Sequence, residues 1–145
     1  ALVSAGGSTI YGLGSPPKLA GWEIKLRDPL HAEKSAFSVR LRDQALSVSG
    51  SYEKFFELHG KRYSHVMDPR TGRPVPGVLS VAVLSDTGTA GDALDNVFYV
   101  LGLAKSRRVL ATFSASEVFF FVPAAQGRWR LERLRKPSLI SRGSR

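Results

Sequence analysis

The longest regular pattern in the chain is a run of apolar residues at helical spacing between Ala90 and Ala104. Apolar side chains at i, i+3 and i+4 form one face of a helix that packs against a core. Thr89 and Asp92 have the spacing of a capping box, and Gly102 is placed to end the helix. The pattern predicts one long helix in the Thr89–Gly102 region, and residues 105–111 allow a second, short helix.

Apolar and polar residues alternate in most of the remaining chain, which predicts short β-strands. The predicted strands cover residues 1–11 with an interruption, 22–26, 36–41, 45–49, 62–67, 78–84, 117–122 and 129–134. Turns are expected over 42–44 and over 68–72, where Pro69 fixes φ and Gly72 supplies a positive φ. These elements indicate an α+β fold with an antiparallel sheet or meander.

The length and composition of the chain exclude several classes of protein. A chain of 145 residues with 43% hydrophobic residues can bury a core, which excludes intrinsic disorder. The chain contains no cysteine, so it has neither a disulfide scaffold nor a thiolate nucleophile. No apolar run approaches the roughly 20 residues that span a bilayer. We expect one domain over residues 1–136 and a basic, frayed tail over 137–145. Because Ala1 replaces an initiator methionine, we interpret the chain as a trimmed or processed piece.

The net charge of +9 is concentrated near the end of the sequence. Residues 128–145 contain seven basic residues and one acidic residue, Glu132. Such a segment can attract nucleic acid or anionic lipid non-specifically, but we favour the interpretation of a solvated strand followed by a frayed terminus. No strand interleaves aromatic and basic residues as RNA-binding strands do, so we expect no specific nucleic-acid partner.

One segment, Ser64–Gly72, combines an imidazole, a carboxylate, a guanidinium and a hydroxyl group beside a tight turn. Such a segment can hold an anion or a proton donor. The alternative is purely structural: Asp68 caps its own turn, and His65 is a half-buried strand residue. The residue pattern alone leaves both interpretations open.

A second group lies on the predicted helix, where Asp92, Asp95 and Asn96 are at i, i+3 and i+4 and share one face. Their oxygen atoms suit Mg²⁺, which takes one or two protein carboxylates and completes its shell with water and phosphate. The alternative is that Asp92 complements the helix dipole and that the other two residues are solvated.

Several motifs occur in a characteristic order. They are Gly6-Gly7-Ser8, Trp22-Glu-Ile-Lys-Leu26 with Asp28-Pro29, Ser49-Gly-Ser-Tyr-Glu53, the block Gly-Lys-Arg-Tyr-Ser-His-Val-Met-Asp-Pro-Arg-Thr-Gly over 60–72, Asp92-Ala-Leu94 and Val100-Leu-Gly102. In this order they resemble the C-terminal half of the FAD:protein FMN transferases, the ApbE family. The resemblance covers nearly the whole chain, and the block over 60–72 is its most specific part.

The resemblance implies an enzyme of the cell envelope or periplasm, often a lipoprotein, that holds FAD with Mg²⁺. Such enzymes transfer the FMN part of FAD to a threonine hydroxyl of an acceptor protein and release AMP. By resemblance, Asp92 is the metal-binding aspartate and Asn96 is a second metal ligand. His65 is the candidate for the hydroxyl proton, since imidazoles exchange protons near neutral pH. The candidate flavin-nucleotide contacts are His65, Val66 and Asp68.

The chain departs from the family pattern on the predicted helix. Asn96 stands where the family usually has threonine, and Asp95 stands where a small residue is common. A second interpretation is therefore a degenerate, catalytically inactive module that binds flavin or an envelope partner. Tyr52 is expected to pack or form hydrogen bonds rather than take part in chemistry. The sequence leaves open a membrane anchor in the parent chain, a homodimer, and association with an N-terminal segment.

Overall fold

Twelve strands and one long helix occur in the computed structural model, which describes residues 1–51, 55–59 and 61–136. The strands are β1 Leu2–Ala5, β2 Thr9–Gly12, β3 Trp22–Arg27, β4 Ser35–Leu41, β5 Gln44–Gly50, β6 Phe55–Leu58, β7 Lys61–Ser64, β8 Met67–Asp68, β9 Arg73–Pro74, β10 Ser80–Ser85, β11 Ala115–Pro123 and β12 Trp129–Arg135. The helix α1 spans Gly88–Val109. Single 3₁₀ turns occupy Leu110–Thr112 and Ala125–Gly127.

Six strands form one antiparallel sheet in the order β1-β2-β5-β10-β11-β12. Every residue of the central strand β10 is buried, because both faces of the sheet are covered. Val81 and Val83 belong to the core on the α1 side, whereas Ala82 and Leu84 belong to the core on the opposite side. The predicted α+β class with an antiparallel sheet and one long helix is confirmed.

Two different elements cover the two faces of this sheet. Helix α1 packs Leu94, Phe98 and Tyr99 onto one face. The β3–β4 hairpin packs onto the other, where the ring of Phe37 lies 5.0 Å from Phe119 between centroids. Two surface grooves lined by residues of α1 lie on the helix side of the sheet.

The predicted turn between the strands at 36–41 and 45–49 is present, but the two strands do not pair with each other as the predicted meander requires. Strand β4 pairs with β3 in a separate two-stranded sheet, whereas β5 pairs with β2 and β10. Between them Asp43 has a φ of 54°. The chain changes layer at this turn because the β3–β4 hairpin buries its apolar side against the large sheet, and the predicted meander is interrupted there.

The predicted strand over 62–67 is also divided. Strand β7 ends at Ser64, His65 lies in a bend, and the short strand β8 begins at Met67. Strand β7 pairs with β6, a strand that the sequence pattern did not predict. All four residues of β6 are exposed, and its sequence, Phe-Phe-Glu-Leu, lacks the apolar-polar alternation of a half-buried strand.

Helix α1 begins earlier than predicted. Thr87 is its N-cap, with Oγ1 accepting a hydrogen bond from Ala90 N at 3.3 Å, so the predicted capping box of Thr89 and Asp92 is wrong. Asp92 lies beyond the first turn, where a helix dipole has little effect. Gly102, with φ 69° and ψ 170°, interrupts the helix where the sequence predicted its end. Helical residues continue beyond it to Val109, in the region of the predicted second helix over 105–111.

The basic segment begins as strand β12, which agrees with the solvated-strand interpretation. Arg107 and Arg130 contact the carboxylate of Glu132, at 2.9 Å and 3.1 Å. No helix among the described residues is long and apolar enough to cross a membrane. Tyr52 and the predicted tail over 137–145 lie outside the described residues.

Candidate functional site

A groove of about 630 Å³ separates the bend at His65 from helix α1. Its lining brings together His65 and Asn96, which are far apart in sequence and were predicted as a proton acceptor and a metal ligand. The lining residues are His65, Val66, Met67, Pro69, Arg70, Asn96, Val97, Val100 and Leu101. The groove is therefore mostly apolar, with polar groups at a few positions.

The bend at His65 is fixed by hydrogen bonds to its neighbours. Val66 N donates to Ser64 Oγ at 3.0 Å, and Val66 O accepts from Val75 N at 3.0 Å. The Val66 side chain is buried, whereas that of His65 is exposed. His65 is thus not the half-buried strand residue of the structural interpretation, because the strand ends one residue before it.

Asp68 caps the turn that follows the bend, as the structural interpretation proposed. Its Oδ1 accepts from Arg70 N at 2.9 Å, and its carboxylate binds the Arg70 guanidinium at 2.8 Å and 2.7 Å. These hydrogen bonds lower the pKa of Asp68 to about 2. Arg70, and not Asp68, lines the groove. Contact between Asp68 and a nucleotide stays a prediction.

Asp92 and Asn96 are one turn apart on the exposed side of α1. Asp92 Oδ1 accepts a hydrogen bond from Thr9 Oγ1 at 3.4 Å and lines a second groove of about 480 Å³ beside β2. Asn96 Oδ1 accepts from Ser49 Oγ at 3.3 Å. The two candidate ligands therefore line different grooves, one turn apart on the same helix.

Asp95 differs from these neighbours, because it faces the sheet and is 1% exposed. Its Oδ1 accepts a hydrogen bond from Asn96 Nδ2 at 2.9 Å. Its Oδ2 is buried and has no hydrogen-bond partner among the described residues. Loss of solvation raises the pKa of Asp95 to about 7, with a contribution from Asp92, although a hydrogen bond from Ser49 opposes the shift.

The available donors around this part of α1 suit a hard cation. Carboxylate, amide and hydroxyl oxygens of Asp92, Asp95, Asn96 and Ser49 lie there, with no sulfur or imidazole ligand in the set. Within the described ranges, no three His, Cys, Asp or Glu side chains are grouped closely enough to hold a metal by themselves. A cation at this position would therefore need water or substrate oxygens as well.

Comparison with known proteins settles the family. The sequence model of the ApbE family matches residues 1–120. This chain belongs to the ApbE family. It is 37% identical over 133 residues to the FAD:protein FMN transferase of Treponema pallidum, and 40% identical over 119 residues to that of Rhodobacter capsulatus. These alignments cover 85% and 81% of the chain, but only 36% and 22% of the two relatives.

Solved structures of ApbE proteins have the same fold. The ApbE protein of Thermotoga maritima gives a TM-score of 0.78 at 27% identity, covering 94% of this chain and 42% of that one. The flavin transferase ApbE of Vibrio cholerae gives a TM-score of 0.72 at 28% identity with the same coverage. The chain thus spans well under half the length of the ApbE proteins that it matches.

Sequence reasoning missed two parts of this candidate site. It placed Asp95 on the same face as Asp92 and Asn96, but only the packing of α1 shows that Asp95 is buried. It also missed the hydroxyl groups on the sheet beneath the helix, where Thr9 Oγ1 and Ser47 Oγ lie 2.9 Å apart. A hydroxyl-rich strand, Ser47-Val-Ser49, among strands rich in valine was the available signal.

Proposed function

We propose that this chain is part of a Mg²⁺-dependent FAD:protein FMN transferase. The enzyme transfers the FMN part of FAD to a threonine hydroxyl of an acceptor protein and releases AMP. The names of the relatives support the flavin chemistry. The observation that carries the proposal is that His65 and Asn96, from distant parts of the sequence, line one groove.

The groove has the chemistry of a flavin-nucleotide site. Its volume of about 630 Å³ is in the range of small-molecule sites. Val66, Val97, Val100 and Leu101 supply an apolar wall suited to a planar ring system. Arg70 supplies a guanidinium suited to phosphate, and Asp68 orients it through two hydrogen bonds.

Asp92 and Asn96 would hold the cation through a carboxylate and an amide oxygen. This donor set fits Mg²⁺, which commonly takes one or two protein carboxylates and completes its shell with water and phosphate oxygens. Bound there, Mg²⁺ would neutralise the charge that develops on the pyrophosphate. Thr9, whose Oγ1 lies 3.4 Å from Asp92 Oδ1, helps to orient that carboxylate.

His65 accepts the proton of the threonine hydroxyl. As the threonine oxygen bonds to the FMN phosphorus, the bond from that phosphorus to the bridging oxygen breaks. AMP leaves with the bridging oxygen and its electron pair. The exposed position of His65 at the groove allows an acceptor side chain to reach it.

AMP release from FAD by the complete natural polypeptide tests this proposal. The assay is run with and without Mg²⁺ and a threonine-containing acceptor peptide. We expect AMP release that requires both, that is abolished in Asp92→Ala, and that is preserved in Asp86→Asn. Asp86 is an exposed carboxylate just before α1 that lines neither groove. FAD binding without AMP release would instead support an inactive flavin-binding module, and no FAD binding would contradict both.

A further inference from the structure

Asp95 is a buried carboxylate with an unsatisfied oxygen. It is 1% exposed, and its Oδ2 has no hydrogen-bond partner in the described part of the chain. None of the ion pairs between described residues includes it. A carboxylate in this position requires either a proton or a cation, because burial without compensation is unfavourable.

The surroundings of Asp95 contain further oxygen donors. Asn96 is adjacent in sequence, and its amide donates to Asp95 Oδ1 at 2.9 Å while its own Oδ1 lies 3.3 Å from Ser49 Oγ. The single hydroxyl proton of Ser49 can be donated either to Asn96 Oδ1 or to the Asp95 carboxylate. Asp92 is one turn earlier on the same helix, close enough to repel the Asp95 charge. Two carboxylates and an amide carbonyl therefore lie within five consecutive residues of α1, and a hydrogen bond joins Asp95 to Asn96.

We propose that Asp95 is a further ligand of the divalent cation held by Asp92 and Asn96, with its buried Oδ2 facing the ion. The inference rests on the proposed function, since it concerns the same cation. Asn96 is a neutral donor, so Asp92 alone would supply a single negative charge. Asp95 brings the protein charge at the site to −2, which balances a divalent ion without help from phosphate.

This charge balance has a functional consequence. A second carboxylate strengthens the attraction of the site for Mg²⁺ before the pyrophosphate of FAD is bound, because it doubles the negative charge that the protein places beside the ion. In this chain the cation is therefore in place before the nucleotide arrives. Without the ion, the carboxylates of Asp92 and Asp95 repel each other. Binding of the ion removes this repulsion.

Mg²⁺ titration of the complete natural polypeptide without FAD, by isothermal titration calorimetry, tests the inference. We expect wild-type protein to bind Mg²⁺, and Asp95→Asn to weaken the Kd by about tenfold or more. Asp86→Asn makes the same chemical change at an exposed site and should leave the Kd unchanged. Asp95→Ser, which removes both the charge and the reach of the side chain, should weaken binding at least as much.

Thermal unfolding without Mg²⁺ shows that each variant is folded and provides a second readout. Asp95→Asn removes a buried charge, so its Tm without the cation should equal or exceed that of the wild type. The gain in Tm on adding Mg²⁺ should be smaller in Asp95→Asn and Asp95→Ser than in Asp86→Asn. Equal gains in all variants would overturn the inference.

The outcomes separate this inference from the proposed function. If Asp92→Ala abolishes Mg²⁺-dependent AMP release while Asp95→Asn binds Mg²⁺ as the wild type does, the role of Asp95 is wrong and the transferase stands. Wild-type protein that binds Mg²⁺ only after FAD is added would also overturn the inference. AMP release that needs no Mg²⁺ would contradict the metal-dependent function itself.

Discussion

The hydroxyl oxygen of Tyr99 lies 3.3 Å from Ser64 Oγ and joins helix α1 to the bend that carries His65. The same hydroxyl donates to Val78 O at 2.8 Å, and Ser64 Oγ accepts from Val66 N. All of these groups are buried. The connection fixes the helix that presents Asn96 relative to the bend that presents His65.

Replacing Tyr99 by phenylalanine should weaken this connection without creating a large cavity. Val78 O and Ser64 Oγ lose a buried partner, so we expect a loss of about 1–3 kcal/mol in the free energy of unfolding. Urea denaturation measures it. Tyr11→Phe makes the same change in a half-buried side chain of β2 and should stay within about 0.5 kcal/mol of wild type. Equal effects of both changes would show that the Tyr99 hydroxyl is unimportant.

Gly91 permits the close approach of α1 to the sheet. A Cβ atom at this position would lie 2.6 Å from both Ser47 Oγ and Ser85 Oγ. Gly91→Ala should therefore lower the free energy of unfolding by about 1–3 kcal/mol, although alanine favours helices by about 1 kcal/mol. Denaturant titration gives the value. Ala93→Gly, at an exposed position of the same helix, measures the propensity difference alone, and a stabilised Gly91→Ala would refute the close packing.

The ion pair of Asp68 and Arg70 should appear in the pH titration of the carboxyl group. We expect an Asp68 pKa of about 2 by NMR, and a return toward the ordinary value of 3.8 in Arg70→Gln. Because folding lowers the Asp68 pKa, the ion pair stabilises the folded protein at pH values above the ordinary carboxyl pKa of 3.8. This contribution is lost as the pH falls toward 2. Arg73→Gln is the control, because it removes a nearby guanidinium that does not pair with Asp68. A pKa that is unchanged in Arg70→Gln would contradict the pairing.

Local patterns predicted the elements whose structure depends on nearby residues. The apolar spacing from Ala90 to Ala104 identified the helix, and Gly102 marked its interruption because a positive φ favours glycine. The turn at Asp68–Gly72 followed from its residue types, and Asp68 caps it as expected. These features are encoded within a few residues.

Features that depend on distant partners were not predictable in this way. The pairing of β4 with β3 rather than β5 is decided by the apolar face that the hairpin buries against Phe119 and Phe121. The spacing of Asp92, Asp95 and Asn96 predicts one shared helix face, yet the rotation of α1 on the sheet leaves Asp92 and Asn96 exposed and buries Asp95. That rotation depends on the contact of Gly91 with the sheet, which spacing along the chain does not reveal.

The most direct test is the mass of the acceptor peptide after reaction of the complete natural polypeptide with FAD and Mg²⁺. We predict an FMN-sized mass gain on the peptide threonine, with one AMP released for each modified peptide. A peptide with valine at that position and the Asp92→Ala enzyme should both give no gain. AMP release without peptide modification, or modification that survives Asp92→Ala, would contradict a transferase that uses this site.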